Sequence, residues 1–273
     1  MSKEQRTQLE KTKRISNPGC YPTGFIGLTK PLVDAGLLPA GTPLTVNAIS
    51  GYSGGGKQLM GIYETEAHEP WGAYGLGLSH KHVPEMSKVR AACSPDLLLR
   101  IVRVLQFVHI LNLRTVTAHD WHTHTHTNTH HLVFASQYSG LGRIPIFQPA
   151  VAEFVQGMVV SVPLHYQWLA PGVTGQKMHD ALKKHYEGSV FVEVMPLGEA
   201  AVKEAGLLER GAFLAPDTLK DTNKLQLFVF ANDAAEQAIL IARLDNLGKG
   251  ASGAAVQNLN IALGLDETVG LMD

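Results

Sequence analysis

A cysteine placed between a turn and a helix is the feature that most limits how this chain can fold. Cys20 is one of only two cysteines, and it lies in the nonapeptide 16–24, Ser-Asn-Pro-Gly-Cys-Tyr-Pro-Thr-Gly. The Pro-Gly pair before it favours a tight turn. Apolar residues recur at helical spacing over 25–38, which predicts a helix that Pro31 would kink or restart.

The position of Cys20 supports two interpretations. A thiol at the start of a helix meets free backbone N–H groups and the positive end of the helix dipole, and both favour the thiolate. A nucleophilic cysteine is prepared in this way. The alternative is a small apolar residue buried in a turn. The local sequence alone leaves both interpretations open.

Composition narrows the class of protein. The chain has 273 residues, of which 45% are hydrophobic and 17% charged, so it can form one large or two ordinary globular domains. A net charge of −1 gives no bias toward nucleic acid or an anionic membrane, and we predict neither as a partner. Two cysteines make no disulfide framework and residues 1–14 have no apolar signal core, so we expect a cytoplasmic protein.

A glycine-rich loop and a pair of histidines are the other candidate site elements. A predicted strand over 43–49 runs into 50–57, Ser-Gly-Tyr-Ser-Gly-Gly-Gly-Lys. Its glycines allow close backbone approach to a phosphate or a nicotinamide amide, although a flexible surface turn would have the same composition. His80 and His82 diverge on either a strand or a helix, so we expect only one of them to face the thiol.

Four stretches, in this order along the chain, resemble N-acetyl-γ-glutamyl-phosphate reductases. They are 16–24, 50–57, 80–86 (His-Lys-His-Val-Pro-Glu-Met) and 245–258 (Asp-Asn-Leu-Gly-Lys-Gly-Ala-Ser-Gly-Ala-Ala-Val-Gln-Asn). The chain looks most like the shorter of the two sequence types in this family, which is grouped with the aspartate-semialdehyde dehydrogenases. The resemblance implies a two-domain α/β dehydrogenase. This chain would be mostly its α+β catalytic domain, with a large mixed sheet similar to that of glyceraldehyde-phosphate dehydrogenases.

The resemblance also implies roles for particular residues. Cys20 would be the nucleophile and His80 the catalytic base, with His82 as the second choice of base. The substrate-binding residues would be His82, Tyr74, Asn17 and Arg143. The residues binding the cofactor, NADP(H), would be Ser50, Gly51, Ser53, Gly54, Asn246, Gly250 and Ala251.

The implied activity is an NADPH-dependent oxidoreduction in arginine biosynthesis. N-acetyl-γ-glutamyl phosphate would be reduced to N-acetyl-glutamate semialdehyde with release of phosphate, through a thioacyl intermediate on Cys20. The family uses its sheet for subunit contact, so we expect a homo-oligomer, either a dimer or a tetramer. Two alternatives stay open: a related dehydrogenase that uses another acyl phosphate, and an inactive cofactor-less fragment that acts as an interaction subunit.

The family normally begins with a dinucleotide-binding unit, and no such motif precedes Cys20. We therefore expect the Rossmann domain to be largely absent, with 1–15 as its remnant. Residues 16–245 would form the catalytic domain, and 246–273 a C-terminal helix that would pack on the cofactor domain.

Residues 89–137 interrupt the family's spacing and are predicted to be an atypical insertion. Six of the chain's 13 histidines lie in 119–131, but no carboxylate or cysteine has metal-site spacing around them, so we predict no metal site. Valine codons begin with GT and glutamine can be CAG, so this segment is interpreted as a translated intron. An intron implies a eukaryote, in which a plastid or mitochondrion is the alternative compartment.

Overall fold

The computed structural model describes residues 3–12, 15–65, 67–87, 133–134 and 139–272. The predicted insertion at 89–137 lies outside these residues except for 133–134, and so does the whole histidine run. Nothing in the structure therefore bears on the intron or on metal binding by that run.

A mixed seven-stranded sheet forms the centre of the structure, with the strand order β3-β5-β2-β6-β9-β8-β7. Its strands are β2 Thr45–Gly51, β3 Trp71–Ala73, β5 Ile146–Ala152, β6 Met158–His165, β7 Val192–Val194, β8 Leu225–Asn232 and β9 Gln237–Leu244. The β2–β5 and β7–β8 pairs are parallel, and the other pairs are antiparallel. Two short strands, β1 Ile15–Ser16 and β4 Val133–Phe134, pair separately. The predicted large mixed sheet is confirmed.

Several helices accompany this sheet in the described part of the chain. They are α1 Lys3–Lys11, α2 Cys20–Asp34, α3 Gly56–Thr65, α4 Val83–Ser87, α5 Gly175–His185, α6 Gly198–Glu204 and α7 Gly253–Ala262. A π-helical turn, Gly248–Ser252, leads directly into α7. No helix among the described residues is long and apolar enough to cross a membrane.

Helix α2 lies across the middle of the sheet and supplies much of the core. A Cβ atom on Gly24 would stand 2.9 Å from the side chain of Val160 on β6, so the helix backbone approaches the strands closely. Alternate residues of β6 are buried beneath it, as expected of a strand covered on one face. The packing fixes where the first residue of α2, Cys20, is held.

The helix does not restart at Pro31, since α2 continues through this residue, and it spans Cys20–Asp34 instead of the predicted 25–38. Proline has no N–H, so the carbonyl of Gly27, four residues earlier, loses its usual helical donor. The hydroxyl of Tyr186 donates to that carbonyl at 2.9 Å instead. Tyr186 is buried, and burial raises the pKa of its hydroxyl, so it remains a donor.

Candidate active site

Cys20 is the first residue of α2, with Gly19 as the N-cap. The predicted placement of the thiol at the beginning of a helix is therefore confirmed. The π-helical turn lies directly against it, because a Cβ atom on Gly250 would be 2.7 Å from the Cβ of Cys20. The thiol thus lies between the first turn of α2 and the turn that precedes α7.

The position at the helix start does not make Cys20 a thiolate at rest. Burial raises the pKa of the Cys20 thiol to about 11. The backbone N–H groups of Tyr21 and Cys20 and the charge of Lys81 lower this pKa, but by less than burial raises it. The charge of Glu85 also raises it. Near neutral pH the thiol is protonated, so a base must remove its proton before it can attack.

His82 packs against the residue that precedes Cys20. A Cβ atom on Gly19 would be only 2.3 Å from Nε2 of His82, so glycine is required for this contact. Nδ1 of His82 is buried without a hydrogen-bond partner. Burial, with smaller effects from His80 and Lys81, lowers the pKa of His82 to about 4, so the imidazole is neutral at pH 7.

His80 packs against the residue that follows Cys20. Its ring lies edge-on to Tyr21, with the centroids 6.1 Å apart, and also pairs with Tyr74 at 5.7 Å. Nδ1 of His80 accepts a hydrogen bond from the backbone N–H of His82 at 3.2 Å, which in the neutral ring places the proton on Nε2. Burial lowers the pKa of His80 as well. Both imidazoles therefore lie beside the cysteine segment.

Tyr74 and Tyr21 form a hydrogen-bonded pair at the same site. The Tyr74 hydroxyl donates to the Tyr21 hydroxyl at 3.0 Å, and Tyr21 donates to the carbonyl of Ala150 at 3.3 Å. Sequence reasoning identified Tyr74 and missed Tyr21, although Tyr21 directly follows the cysteine. The pair connects β5 to the first turn of α2.

The glycine-rich stretch forms a 3₁₀-helical turn, Tyr52–Gly55, between β2 and α3. Gly51 approaches the carbonyl of Val155 so closely that a Cβ atom would be 2.5 Å from it. Asn246 donates to the Ser53 hydroxyl at 3.0 Å and accepts from the Gly157 N–H at 2.8 Å. A Cβ atom on Gly54 would lie 2.9 Å from the Ser50 hydroxyl and 3.5 Å from Nδ2 of Asn246. These five predicted cofactor residues thus converge.

The remaining predicted site residues are placed differently. Asn17 accepts a hydrogen bond from Asn258 of α7 at 2.5 Å. Ala251 is exposed in the π-helical turn beside Gly250. Arg143 is exposed and donates to the Gly41 carbonyl at 3.4 Å. Three residues earlier, Gly140 contacts Val33, which lies near the end of α2. Helix α2 has 15 residues, about 22 Å of length, so the structure does not bring Arg143 to Cys20.

Two carboxylates of the site were not found by sequence reasoning. Glu85 accepts the backbone N–H of Gly19 at 2.8 Å. Asp245 is fully buried and accepts from the N–H groups of Asp221 and Leu247, both at 2.8 Å, which fixes the turn carrying Asn246. Both residues lie inside the recognised stretches, but their spacing gives no sign of these backbone contacts.

The converging residues suit the amide end of a nicotinamide cofactor. Two serine hydroxyls and the second N–H of the Asn246 amide meet beside a close-approach glycine, next to Cys20. A carboxamide needs donors and acceptors of this kind. Across the part of the chain that the structure describes, no three His, Cys, Asp or Glu side chains come together as a metal site would require.

Comparisons with known proteins place this site in a class. The family described as "Semialdehyde dehydrogenase, dimerisation domain" matches residues 20–103 and 109–246. The crystal structure of aspartate semialdehyde dehydrogenase II from Vibrio cholerae is similar, with a TM-score of 0.52 at 13% identity, over 96% of this chain and 65% of that chain. Fold and family match together define the class as the semialdehyde dehydrogenases.

Curated relatives narrow the class. N-acetyl-gamma-glutamyl-phosphate reductase 2 of Nostoc sp. is 40% identical to this chain over 99% of its length, and the match covers 70% of the Nostoc protein. The reductase of Trichormus variabilis is 41% identical over 98% of the chain and 69% of the relative. The reductase of Rhizobium etli is 41% identical over 96% of this chain and 68% of the relative. The chain belongs to the N-acetyl-γ-glutamyl-phosphate reductase family and spans about 70% of the length of the Nostoc relative.

Proposed function

We propose that this chain carries the catalytic machinery that reduces N-acetyl-γ-glutamyl phosphate to N-acetyl-glutamate semialdehyde and releases phosphate, a step of arginine biosynthesis. The observation that carries the proposal is the half-buried Cys20 at the start of α2, whose neighbours in sequence contact two neutral imidazoles. The relatives that share this chain's sequence at about 40% identity are named for the reaction.

The first step forms a thioester on Cys20. Because the resting thiol is protonated, a neutral imidazole accepts its proton while sulfur attacks the acyl carbon. The new C–S bond replaces the C–O bond to phosphate, and phosphate leaves with that electron pair. Backbone N–H groups at the first turn of α2 stabilise the oxyanion.

Two histidines compete for the role of base. The resemblance favours His80. Its Nδ1, however, accepts a backbone N–H, which leaves Nε2 as a donor in the neutral ring. His82 contacts Gly19 and has a buried, unpartnered Nδ1, so the geometry supports His82 more strongly. We therefore propose His82 as the base and His80 as the group that orients it.

The second step reduces the thioester. A nicotinamide cofactor, which we propose to be NADP(H), supplies the hydride when it is bound. The residues to hold its nicotinamide end are Ser50, Gly51, Ser53, Gly54, Asn246, Gly250 and Ala251. After reduction the C–S bond breaks, the aldehyde leaves, and the imidazolium returns its proton to the Cys20 sulfur. Tyr74 lines the substrate side, while Asn17 and Arg143 have only the resemblance in their support.

We also infer a homo-oligomer built through the outer face of the sheet, the face opposite α2. Large apolar side chains on it are exposed: Trp71 by 53%, Ile146 by 58% and Ile239 by 43%. An exposed apolar face of this kind marks an interaction surface. The description of the matching family as a dimerisation domain supports this inference.

The activity is testable in the reverse direction. The purified chain, N-acetyl-glutamate semialdehyde, phosphate and NADP should yield NADPH, followed by its absorbance, only when phosphate is present. Cys20→Ser should abolish the signal and Cys93→Ser should retain it. A chain that oxidises the semialdehyde of a different acyl phosphate faster would instead be the related dehydrogenase. Turnover that persists in Cys20→Ser would contradict the proposed nucleophile.

A further inference from the structure

The short helix α4, directly after the two histidines, reaches back to the cysteine segment through one carboxylate. Glu85 Oε2 accepts the backbone N–H of Gly19 at 2.8 Å. Gly19 is the N-cap of α2 and no side chain caps the helix from within. The half-buried Glu85 therefore fixes the backbone immediately before Cys20 from another element, and brings a negative charge beside the thiol.

A positive charge lies four residues earlier on the same segment. Lys81 is exposed and lowers the pKa of Cys20, while Glu85 raises it. A like charge disfavours the anionic form of an acid and an opposite charge favours it, so the two side chains oppose each other at one sulfur. Exposed charges are screened by salt far more than partly buried ones.

The other titratable groups around Cys20, among the residues that the structure describes, carry no charge that would replace this pair. Tyr21 and Tyr74 are neutral because burial raises their pKa values, and His80 and His82 are neutral because burial lowers theirs.

The turn before α7 brings two charged groups near the cysteine segment, and both are bonded elsewhere. The Asp245 carboxylate accepts backbone N–H groups, including that of Leu247 at 2.8 Å. The Lys249 ammonium donates to Gln257 at 2.6 Å. Within the described part of the chain, the charges that act on the sulfur are therefore those of Lys81 and Glu85.

We propose that Glu85 is a positioning residue that holds the Gly19 backbone and places a negative charge beside the Cys20 segment. The proposal rests on the proposed function, in which Cys20 is the nucleophile. Burial keeps the resting thiol protonated and the carboxylate of Glu85 adds to that effect, so the thiol resists alkylation and oxidation until the neutral imidazole takes its proton during attack.

The test is the rate at which iodoacetamide alkylates Cys20 in the full chain, measured between about pH 7.5 and 9.5 by mass spectrometry of the Cys20 peptide. Glu85→Gln removes the charge and keeps an acceptor for the Gly19 N–H. We expect its Cys20 to react about two- to fourfold faster at pH 8, because loss of the negative charge increases the thiolate fraction by more than it weakens the thiolate as a nucleophile.

Lys81→Gln should act in the opposite direction, with alkylation about twofold slower at low salt. That effect should disappear at about 1 M salt, because Lys81 is exposed, whereas the effect of Glu85→Gln should persist. The matched controls are Glu199→Gln and Lys203→Gln on the exposed surface of α6, which should leave the rate unchanged.

Unchanged or slower alkylation in Glu85→Gln would overturn the proposal, and so would rates that change in the same direction in both variants, as a merely structural role predicts. Failure of the proposed function is distinguishable. In that case alkylated Cys20 would leave turnover intact, whatever the alkylation rates of the variants.

Discussion

At the scale of single residues, two contacts define how the thiol is held and how it loses its proton. Gly250 lies so close to Cys20 that no side chain fits between them, and the His82 ring occupies the space beside Gly19. Both contacts depend on glycine for space rather than for an unusual backbone conformation. A small change at either glycine should therefore reach the sulfur directly.

Gly250→Ala should lower kcat sharply, because its methyl group would stand 2.7 Å from the Cys20 Cβ and one of the two must move. Overpacking of this kind costs about 1–3 kcal/mol, and a displacement of about 1 Å at a nucleophile can cost about 100-fold in rate. Steady-state kinetics of the reverse reaction and thermal unfolding would measure both. Gly61→Ala in α3, where a Cβ atom meets nothing within 4 Å, is the matched control and should retain activity. A fully active Gly250→Ala enzyme would contradict the contact.

His82 should make stability depend on pH. Its folded pKa of about 4 lies below the ordinary value of about 6.5, so the unfolded chain binds a proton that the folded chain does not bind. The free energy of unfolding should fall as pH falls from about 6.5 to about 4. Urea unfolding at several pH values measures this slope, and His82→Gln should flatten it. The same slope in wild type and variant would show that the imidazole is not held neutral.

At the scale of elements, α2 is the component on which the site depends. Its continuity through Pro31 rests on the Tyr186 hydroxyl, which belongs to a residue 159 positions away from Gly27 in the sequence. A buried carbonyl that loses its partner costs about 1–3 kcal/mol. The helix and the residue that completes it are therefore energetically coupled.

Tyr186→Phe should lower the free energy of unfolding by about 1–3 kcal/mol, because Gly27 loses its replacement donor. Pro31→Ala restores a backbone N–H at the position that normally bonds Gly27. In that background the cost of Tyr186→Phe should be clearly smaller. Urea denaturation of all four combinations measures the coupling. Equal costs in both backgrounds would mean that the hydroxyl does not substitute for the missing helical bond.

How far the sequence predicts these elements follows from the range of the interactions involved. The helix beside Cys20 and the strand before the glycine-rich loop depend on neighbouring residues, and both were predicted, although the helix was placed at 25–38 instead of Cys20–Asp34. The uninterrupted helix at Pro31 depends on Tyr186, and the raised pKa of the thiol depends on burial by distant segments. Hydrophobic periodicity carries no information about such contacts. The role of Glu85 was missed for the same reason, since its partner is a backbone N–H 66 residues away.

At the scale of the whole molecule, the sheet separates two surfaces with different roles. Helix α2 and the site lie toward one face, while the other face exposes Trp71, Ile146 and Ile239. Assembly through the exposed face would leave the Cys20 side accessible to substrate. The homo-oligomer proposed above would therefore have its subunit contacts and its chemistry on different sides of one sheet.

Ile239→Asp should shift the assembly toward monomer in sedimentation equilibrium, because a charge at this face would be desolvated on association. Leu263 is 64% exposed at the end of α7, away from the sheet. Leu263→Asp is therefore the matched control and should leave the assembly unchanged. An unchanged mass for Ile239→Asp at concentrations that give an oligomer in the wild type would contradict assembly through this face.

Whether Cys20 accepts the acyl group is tested most directly by intact-mass spectrometry. The chain is incubated briefly with N-acetyl-γ-glutamyl phosphate in the absence of cofactor. We expect a single added N-acetyl-glutamyl group, which maps to the Cys20 peptide and is removed by hydroxylamine. We expect the same adduct in Cys93→Ser and none in Cys20→Ser. An unmodified wild-type chain, or an adduct that persists in Cys20→Ser, would contradict the role of Cys20 as the acyl acceptor.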